Sequence, residues 1–326
     1  MKAEILKILK KAEEYVSGQQ LCEQLGVSRT AVWKAIRQLE EEGYVIEAVR
    51  NKGYRLVEDA DVLTVAELRS VLDTKWLGQE VDYFYETDST NNRARDAAEK
   101  GASHGYLAVA DSQTAGKGRR GRVWNSPHGT DIFMSFLMRP SFGPSQASML
   151  TLVAGMAVVK GVQKATGLNA IIKWPNDAVV NGKKICGILT EMSTEEDTIR
   201  YVVVGIGINV NAREFPEEIR DKATSLKLEL GRSVKRSEVI QAVAESFEEY
   251  YAVYEKTCDM SGLQAAYNEM LANMDKEVCV LDPREEYRGK ALGIDEEGCL
   301  LVEKENGELI HVLSGEVSVR GIYGYV

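Results

Sequence analysis

A chain of 326 residues, 44% hydrophobic and 28% charged, has the apolar material for about two domains, or three if some are small. Its formal net charge of −10 excludes indiscriminate nucleic-acid binding by the whole surface but leaves room for a local basic patch. Five cysteines without a C-x-x-C pair, and only three histidines, argue for reduced thiols in a cytoplasmic protein and against a zinc site.

The N-terminal MKAEILKILKKAEEY spaces lysines and aliphatics at helical intervals, which predicts an amphipathic helix and not a signal peptide. Ser17 and Gln20 have the capping-box form ahead of a short helix that stops at Gly26. Ser28 caps a third helix closed by Gly43. Its Val32, Ile36 and Leu39 form an inward stripe, while Arg29, Thr30, Trp33, Lys34 and Arg37 lie largely off that stripe. Residues 28–37 hold no acid. Two helices joined by Gly26-Val27-Ser28 make a helix-turn-helix, and two strands around Asn51-Lys52-Gly53 add a wing. The expectation is a winged-helix module over residues 1–62 that meets DNA through Ser28, Arg29, Thr30, Trp33, Lys34, Arg37, Arg50, Lys52 and Arg55. A protein-binding winged helix, or an ordinary solvated helix, is the alternative.

Residues 59–80 include an acidic stretch and a short helix and read as a polar linker. Residues 63–273 are expected to hold a catalytic-sized domain. There, β-rich runs (YLAVA, IFMSFLM, AIIKW, YVVVGIGINV) alternate with helices. No run approaches the ~18 consecutive apolar residues that span a bilayer. Residues 145–167 are apolar nearly all round and so predict a buried helix. Residues 274–326 change to short strands only, with turns at Glu297-Gly298 and Asn306-Gly307, and predict a small barrel.

Three stretches carry chemistry. In TAGKGRRGRVW (Thr114–Trp124), Lys117, Arg119, Arg120 and Arg122 fall among Gly116, Gly118 and Gly121. Glycine permits positive φ and close backbone approach, and arginine offers planar forks for phosphate or carboxylate oxygens. This is not a Walker A loop, because Gly118 follows Gly116-Lys117; nor is Gly205-Ile206-Gly207 a dinucleotide fingerprint, because Val210 stands where the third glycine belongs. In DSTNN, Ser89, Thr90 and Asn91 present hydroxyls, an amide and N–H groups at a helix start, with plain N-capping as the rival reading. In KWPNDAVVNGKKICGIL, Lys173, Asn176 and Asp177 gather where Pro175 breaks a strand, and Lys183 and Lys184 open the next.

Taken together, Ser-Thr-Asn at 89–91, SQTAGKGRRGR at 112–122, KWPND at 173–177, Lys184-x-x-Gly187-Ile188 and Gly207-Ile208-Asn209 resemble the biotin protein ligases. With the winged helix, the chain is similar to the bifunctional ligase–repressors of that family. The resemblance implies an α+β multidomain fold: a winged helix-turn-helix, a central class II synthetase-like mixed β-sheet with helices, and a C-terminal SH3-like β-barrel. It implies biotin contacts at Ser89, Thr90, Asn91, Gln113, Lys117, Gly118, Arg119 and Lys184. Adenylate contacts fall at Arg120, Arg122, Trp124, Lys173, Asn176 and Asn209, and catalytic roles at Lys184, Arg119 and Asp177. The implied reaction makes biotinyl-5′-AMP from biotin and ATP, with Mg²⁺ on the phosphates and no protein-held metal. It then transfers biotin to a lysine of a biotin carboxyl carrier domain. The adenylate is the implied corepressor of biotin biosynthesis genes, drawing the chain into a homodimer on operator DNA, with no membrane partner. One departure is Lys117, where the family often has arginine; lysine keeps the charge but loses the bidentate fork. A lipoate or octanoate ligase, or a metabolite-sensing repressor without catalysis, are the rival functions.

Overall fold

The computed structural model describes residues 1–58, 60–196, 198–281, 285–314, 318–321 and 325. The N-terminal module runs α1 (Lys2–Lys11), α2 (Gly18–Leu25), α3 (Arg29–Glu41), β1 (Val45–Val49) and β2 (Gly53–Glu58). The capping box forms as its residues require. Ser17 Oγ accepts the Gln20 N–H, Gln20 Oε1 accepts the Ser17 N–H, and Gly26 ends α2 in the left-handed region at φ 65°. Ser28 Oγ accepts the Ala31 N–H at the head of α3. Strands β1 and β2 pair antiparallel around Asn51, whose φ is 66°. Ile5, Leu6, Leu9, Leu21, Val32, Ile36, Leu39 and Ile46 give this module its own core.

The short helix α4 (Val65–Val71) precedes the central domain. There β3 (Val81–Phe84), α5 (Thr90–Glu99), β4 (Leu107–Ala110), β5 (Ile132–Met138), α6 (Pro144–Ser148) and α7 (Leu150–Thr166) come first. They are followed by β6 (Ile171–Lys173), β7 (Asp177–Val180), β8 (Lys183–Glu195), β9 (Thr198–Ile208), α8 (Leu226–Leu230), α9 (Arg236–Thr257) and α10 (Gln264–Glu269). The strands form one mixed sheet in the order β3-β4-β5-β9-β8-β7-β6, parallel between β3 and β4 and antiparallel elsewhere.

Side chains alternate across a strand, so the two faces separate by parity. Met134 and Phe136 of β5, Ile188 of β8 and Val202, Val204 and Ile206 of β9 go into the main core with α7 and α9. Leu137 and Val203 point the other way, where Ala94 and Ala98 of α5 cover them. Helix α5 spans only part of that face, and the remainder stays open. Residues Pro144–Thr166, where a buried helix is expected, form a run long and apolar enough to cross a bilayer by length and composition. As 72% of its most apolar window is buried inside the fold, it is a core helix here.

The C-terminal segment, β10 (Glu277–Leu281), β11 (Glu286–Ile294), β12 (Leu300–Glu303), β13 (Leu309–Val312) and β14 (Ser318–Gly321), pairs antiparallel in the order β13-β12-β11-β10-β14. Among the described residues it is a five-stranded sheet with β13 and β14 at its edges; Val317, within the run of short strands expected over residues 274–326, lies outside them. Val278, Val280, Ile294 and Leu300 share the main core, and the Trp174 indole N–H donates to the Gly298 carbonyl at 3.2 Å. The segment is thus fused onto the central domain.

The polar linker expected over residues 59–80 is corrected. Leu63, Leu68, Leu72 and Leu77 are buried in the main core, while Ala66 is buried in the N-terminal one. The apolar positions of α4 serve two cores at once, which makes it a wedge. At its centre the fully buried Glu67 accepts from Lys10 Nζ (2.6 and 2.7 Å) and the Tyr44 hydroxyl on the N-terminal side. From α9 it accepts the Ser237 hydroxyl at 2.6 Å, and Lys235 Nζ lies 3.3 Å away. Next to it, Arg236 pairs with Asp61 at 3.0 Å and with Asp111 at 2.6 Å.

Burial alone would push the Glu67 carboxyl up, but hydrogen bonds from Lys10, Ser237 and Tyr44, with the Lys10 charge, hold it below the ordinary carboxylate range. A depressed carboxyl stabilises the fold fully above that ordinary range and loses the contribution as pH falls through the depressed value. Glu67→Ala leaves cations unpaired in a buried junction and is expected to cost about 3–5 kcal/mol at neutral pH. The variant's stability should also fall less steeply on acidification than the parent's. Urea unfolding at several pH values measures both, and a variant with the parental midpoint contradicts the junction's role.

Candidate functional site

The open part of the sheet face is the floor of a cavity of about 810 Å³, within the range of small-molecule sites. One row of residues crosses the floor. Register sets Phe133 opposite Gly207, Gly207 opposite Gly187, Gly187 opposite Asp177 and Asp177 opposite Lys173. All five line the cavity. The glycines are bare because something lies on them: a Cβ on Gly207 or on Gly187 would meet the Trp124 ring at 2.7 Å.

At one end stands a compact cluster of neutral polar groups. Ser89, Thr90 and Asn91 are buried at the head of α5, and the Ser89 side chain makes no capping bond, against the plain N-cap reading. The Thr90 N–H donates to Gln113 Oε1 at 2.8 Å, and Gln113 Nε2 donates to Ser126 Oγ at 3.0 Å. Ser135 Oγ on β5 lies 2.8 Å from Thr90 Oγ1 and donates to Asn91 Oδ1 at 2.7 Å. Asn91 Nδ2 then donates to Glu191 Oε2 at 2.7 Å.

At the other end are cations. The basic loop is a tight hairpin: the Gly118 N–H donates to the Arg122 carbonyl at 2.7 Å and the Trp124 N–H to the Gly116 carbonyl at 2.9 Å. Lys117, Arg120 and Arg122 are exposed along it, while Arg119 turns inward and is half-buried. Arg119 donates to Asn176 Oδ1 at 3.1 Å and to the Ser314 carbonyl. Burial depresses the Arg119 pKa; Asp177 opposes this, and the charges of Arg120 and Arg122 add to it. A guanidinium in that setting gains from an incoming anion. Lys184 Nζ sits 2.5 Å from Asp177 Oδ1 and 5.3 Å from the Trp124 ring centroid, and Lys173 is buried beside them.

Ser89, Thr90, Asn91, Gln113, Lys117, Gly118, Arg119, Arg120, Arg122, Trp124, Lys173, Asn176, Asp177, Lys184 and Asn209 all line this one cavity. Some do so differently from the sequence expectation. Asn209 Nδ2 donates to the Thr224 carbonyl at 3.1 Å and to that of Lys184 at 3.5 Å, so its amide holds the Lys184 strand. Positive φ falls on Arg120 (59°) and Gly121 (70°), not on Gly116 or Gly118; Gly116 is needed because a Cβ there would meet the Trp124 carbonyl at 2.6 Å. Sequence reasoning missed Ser135, Glu191, Gly205, Ser314 and Tyr325. Each reaches the site through sheet register or from the C-terminal segment, and only the GIGIN run gave a local signal, as bare glycines flanked by β-branched residues.

The helix-turn-helix surface is a second, separate site. Ser28, Arg29, Thr30, Trp33, Lys34 and Arg37 are exposed together on α3, and Trp33 is 51% exposed with the Arg37 guanidinium 5.5 Å from its ring centroid. Arg50 and Lys52 are exposed on the wing. Arg55 is not extended beside them: it pairs with Glu47 at 2.9 Å and lies over the Tyr15 ring at 4.8 Å, at the wing's root.

Comparison with known proteins agrees with this division. Residues 83–209 match the biotin/lipoate A/B protein ligase family, residues 2–55 an HTH domain, and residues 274–320 the biotin protein ligase C-terminal domain. A biotin protein ligase from Aquifex aeolicus, solved in complex with biotin and ATP, superposes with a TM-score of 0.66 at 35% identity, covering 74% of this chain and 99% of that one. The bifunctional ligase/repressor BirA of Escherichia coli is 30% identical over 94% of both chains. That of Bacillus subtilis is 42% identical over 94% of this chain and 95% of its own. With all three segments matched and these relatives aligned over 94% of the chain, it belongs to the family of bifunctional ligase/repressors of the BirA type.

Proposed function

We propose that this chain joins biotin to ATP as biotinyl-5′-AMP, passes the biotin to a lysine of a biotin carboxyl carrier domain, and represses biotin biosynthesis genes with the adenylate as corepressor. The observation that carries the reading is the polarity of the one cavity. Ser89, Thr90, Asn91 and Gln113 offer neutral donors and acceptors at one end, and Lys117, Arg119, Arg120, Arg122, Lys173 and Lys184 offer cations at the other. A neutral ureido head suits the first end, and the biotin carboxylate together with the nucleotide phosphates suits the second.

In the first step a biotin carboxylate oxygen bonds to the α-phosphorus of ATP, and the bond from that phosphorus to the bridging oxygen breaks to release pyrophosphate. Two anions meet, so the site's task is positioning and charge stabilisation rather than base catalysis. Arg119 and Lys184 take that task in this reading, which the Asp177 contact to the Lys184 ammonium and the Arg119 contact to Asn176 support. In the second step a carrier lysine's amine bonds to the acyl carbon and AMP leaves; Asp177 is the carboxylate at hand to take the amine's proton.

Mg²⁺ comes as the companion of the ATP phosphates. Among the described residues the set of Asp295, Glu297 and Cys299 that could gather round an ion is not in the cavity's lining, while Glu214, Glu218 and Asp221 there are exposed. Exposed carboxylates suit an ion that keeps its waters. The five free cysteines suit a reducing, cytoplasmic setting.

Arg119→Ala removes a charge-assisted contact worth roughly 1.5–3 kcal/mol and is expected to slow pyrophosphate release about ten- to a hundredfold. A parental rate would overturn the assignment of the loop to the phosphates. Operator binding should need biotin and ATP together. One module offers few free cations, because Arg55 is paired, and a homodimer doubles them. With about 6–10 phosphate contacts, affinity should fall about 10³–10⁵-fold between 50 and 200 mM salt. Gel-shift and light-scattering measurements with and without the adenylate check this, and equal DNA affinity in both states would remove the metabolite switch.

A further inference from the structure

The C-terminal segment enters the cavity wall where no motif marked it. Tyr325 lines the cavity and touches two of its ionic groups at once. Its hydroxyl donates to Asp177 Oδ2, and Lys173 Nζ lies 3.4 Å from its ring centroid. The other oxygen of Asp177 holds the Lys184 ammonium at 2.5 Å. Lys173 is 6% exposed. A desolvated ammonium gains most from the negative face of an aromatic ring, and a carboxylate gripped by donors on both oxygens cannot rotate. One side chain therefore fixes the direction of two groups, and through Asp177 that of Lys184.

All of this lies at one end of the site. Neighbouring strands are about 4.8 Å apart, and Lys173 on β6 is four strands from Ser135 on β5, where the Thr90 and Asn91 cluster is anchored. A change at Tyr325 is thereby separated from the neutral end.

We propose that Tyr325 is a positioning residue of the ligase reaction, holding Lys173 and the Asp177–Lys184 pair toward the nucleotide, so that the C-terminal segment completes the reacting end of the site. This rests on the adenylation reading above. The test uses the full chain with Tyr325→Phe, which keeps the ring and loses the hydroxyl, and Tyr325→Leu, which loses both. Pyrophosphate release gives kcat and KM for ATP and for biotin, and thermal unfolding is followed in parallel. Tyr325→Leu is expected to lower kcat/KM for ATP by about tenfold or more, with the unfolding midpoint unchanged. Tyr325→Phe should recover part of that loss. Variants that match the parent overturn the assignment, as does a loss that comes with a lowered unfolding midpoint, because that is general loosening. A parent that releases no pyrophosphate overturns the adenylation reading and this assignment with it, whereas an active parent with indifferent variants overturns this assignment alone.

Discussion

The register of five strands is the constraint on which the site depends. Phe133, Gly207, Gly187, Asp177 and Lys173 stand in one row across β5, β9, β8, β7 and β6, on the face that α5 leaves uncovered. A slip of one residue in any pairing would turn a strand over and send its cavity residues into the core. The opposite parity prevents it. Met134 and Phe136, Val202, Val204 and Ile206, and Ile188 are buried under α7 and α9, and a slipped strand would bring them out to water. The apolar core thus fixes the positions of the ionic groups from the opposite face of the sheet.

Two kinds of polar contact then build on that row. Short-range ones close each end: the α5 head against Gln113 and Ser135, and the basic hairpin folded on Gly116 and Trp124. Long-range ones join segments far apart in sequence: Arg119 to Ser314, Trp174 to Gly298, and Arg236 to both Asp61 and Asp111. Asp111 precedes the basic loop directly, and Arg236 neighbours Ser237, which donates to Glu67. The α9 head consequently touches both the root of the loop and the wedge on which the N-terminal module sits.

What could be read from the sequence were features set by local chemistry. The capping box at Ser17, the left-handed Gly26, the apolar stripe of α3 and the hairpin at Asn51 need only their neighbours, and each stands as expected. The basic loop and the Ser89–Asn91 head were visible because their residue types are unusual together. The row was not, because register belongs to pairs of strands. The wedge was misread for a related reason: α4 is short, and its Leu68 and Ala66 divide between two cores, so neither stripe is long enough to mark a helix with a buried face. Arg55 looked free in sequence until the fold brought Glu47 and Tyr15 against it. Tyr325 sits 148 positions beyond its partner Asp177, where no spacing rule reaches.

In this reading one cavity holds biotin and the nucleotide joined as a mixed anhydride across this row. Native mass spectrometry of the full chain, incubated with biotin and ATP and then freed of unbound ligand, tests it most directly. One biotinyl-5′-AMP retained per chain is the expected result, and no such mass when either substrate is left out. A chain that emerges unliganded, or that carries nucleotide and biotin as separate species, would contradict it.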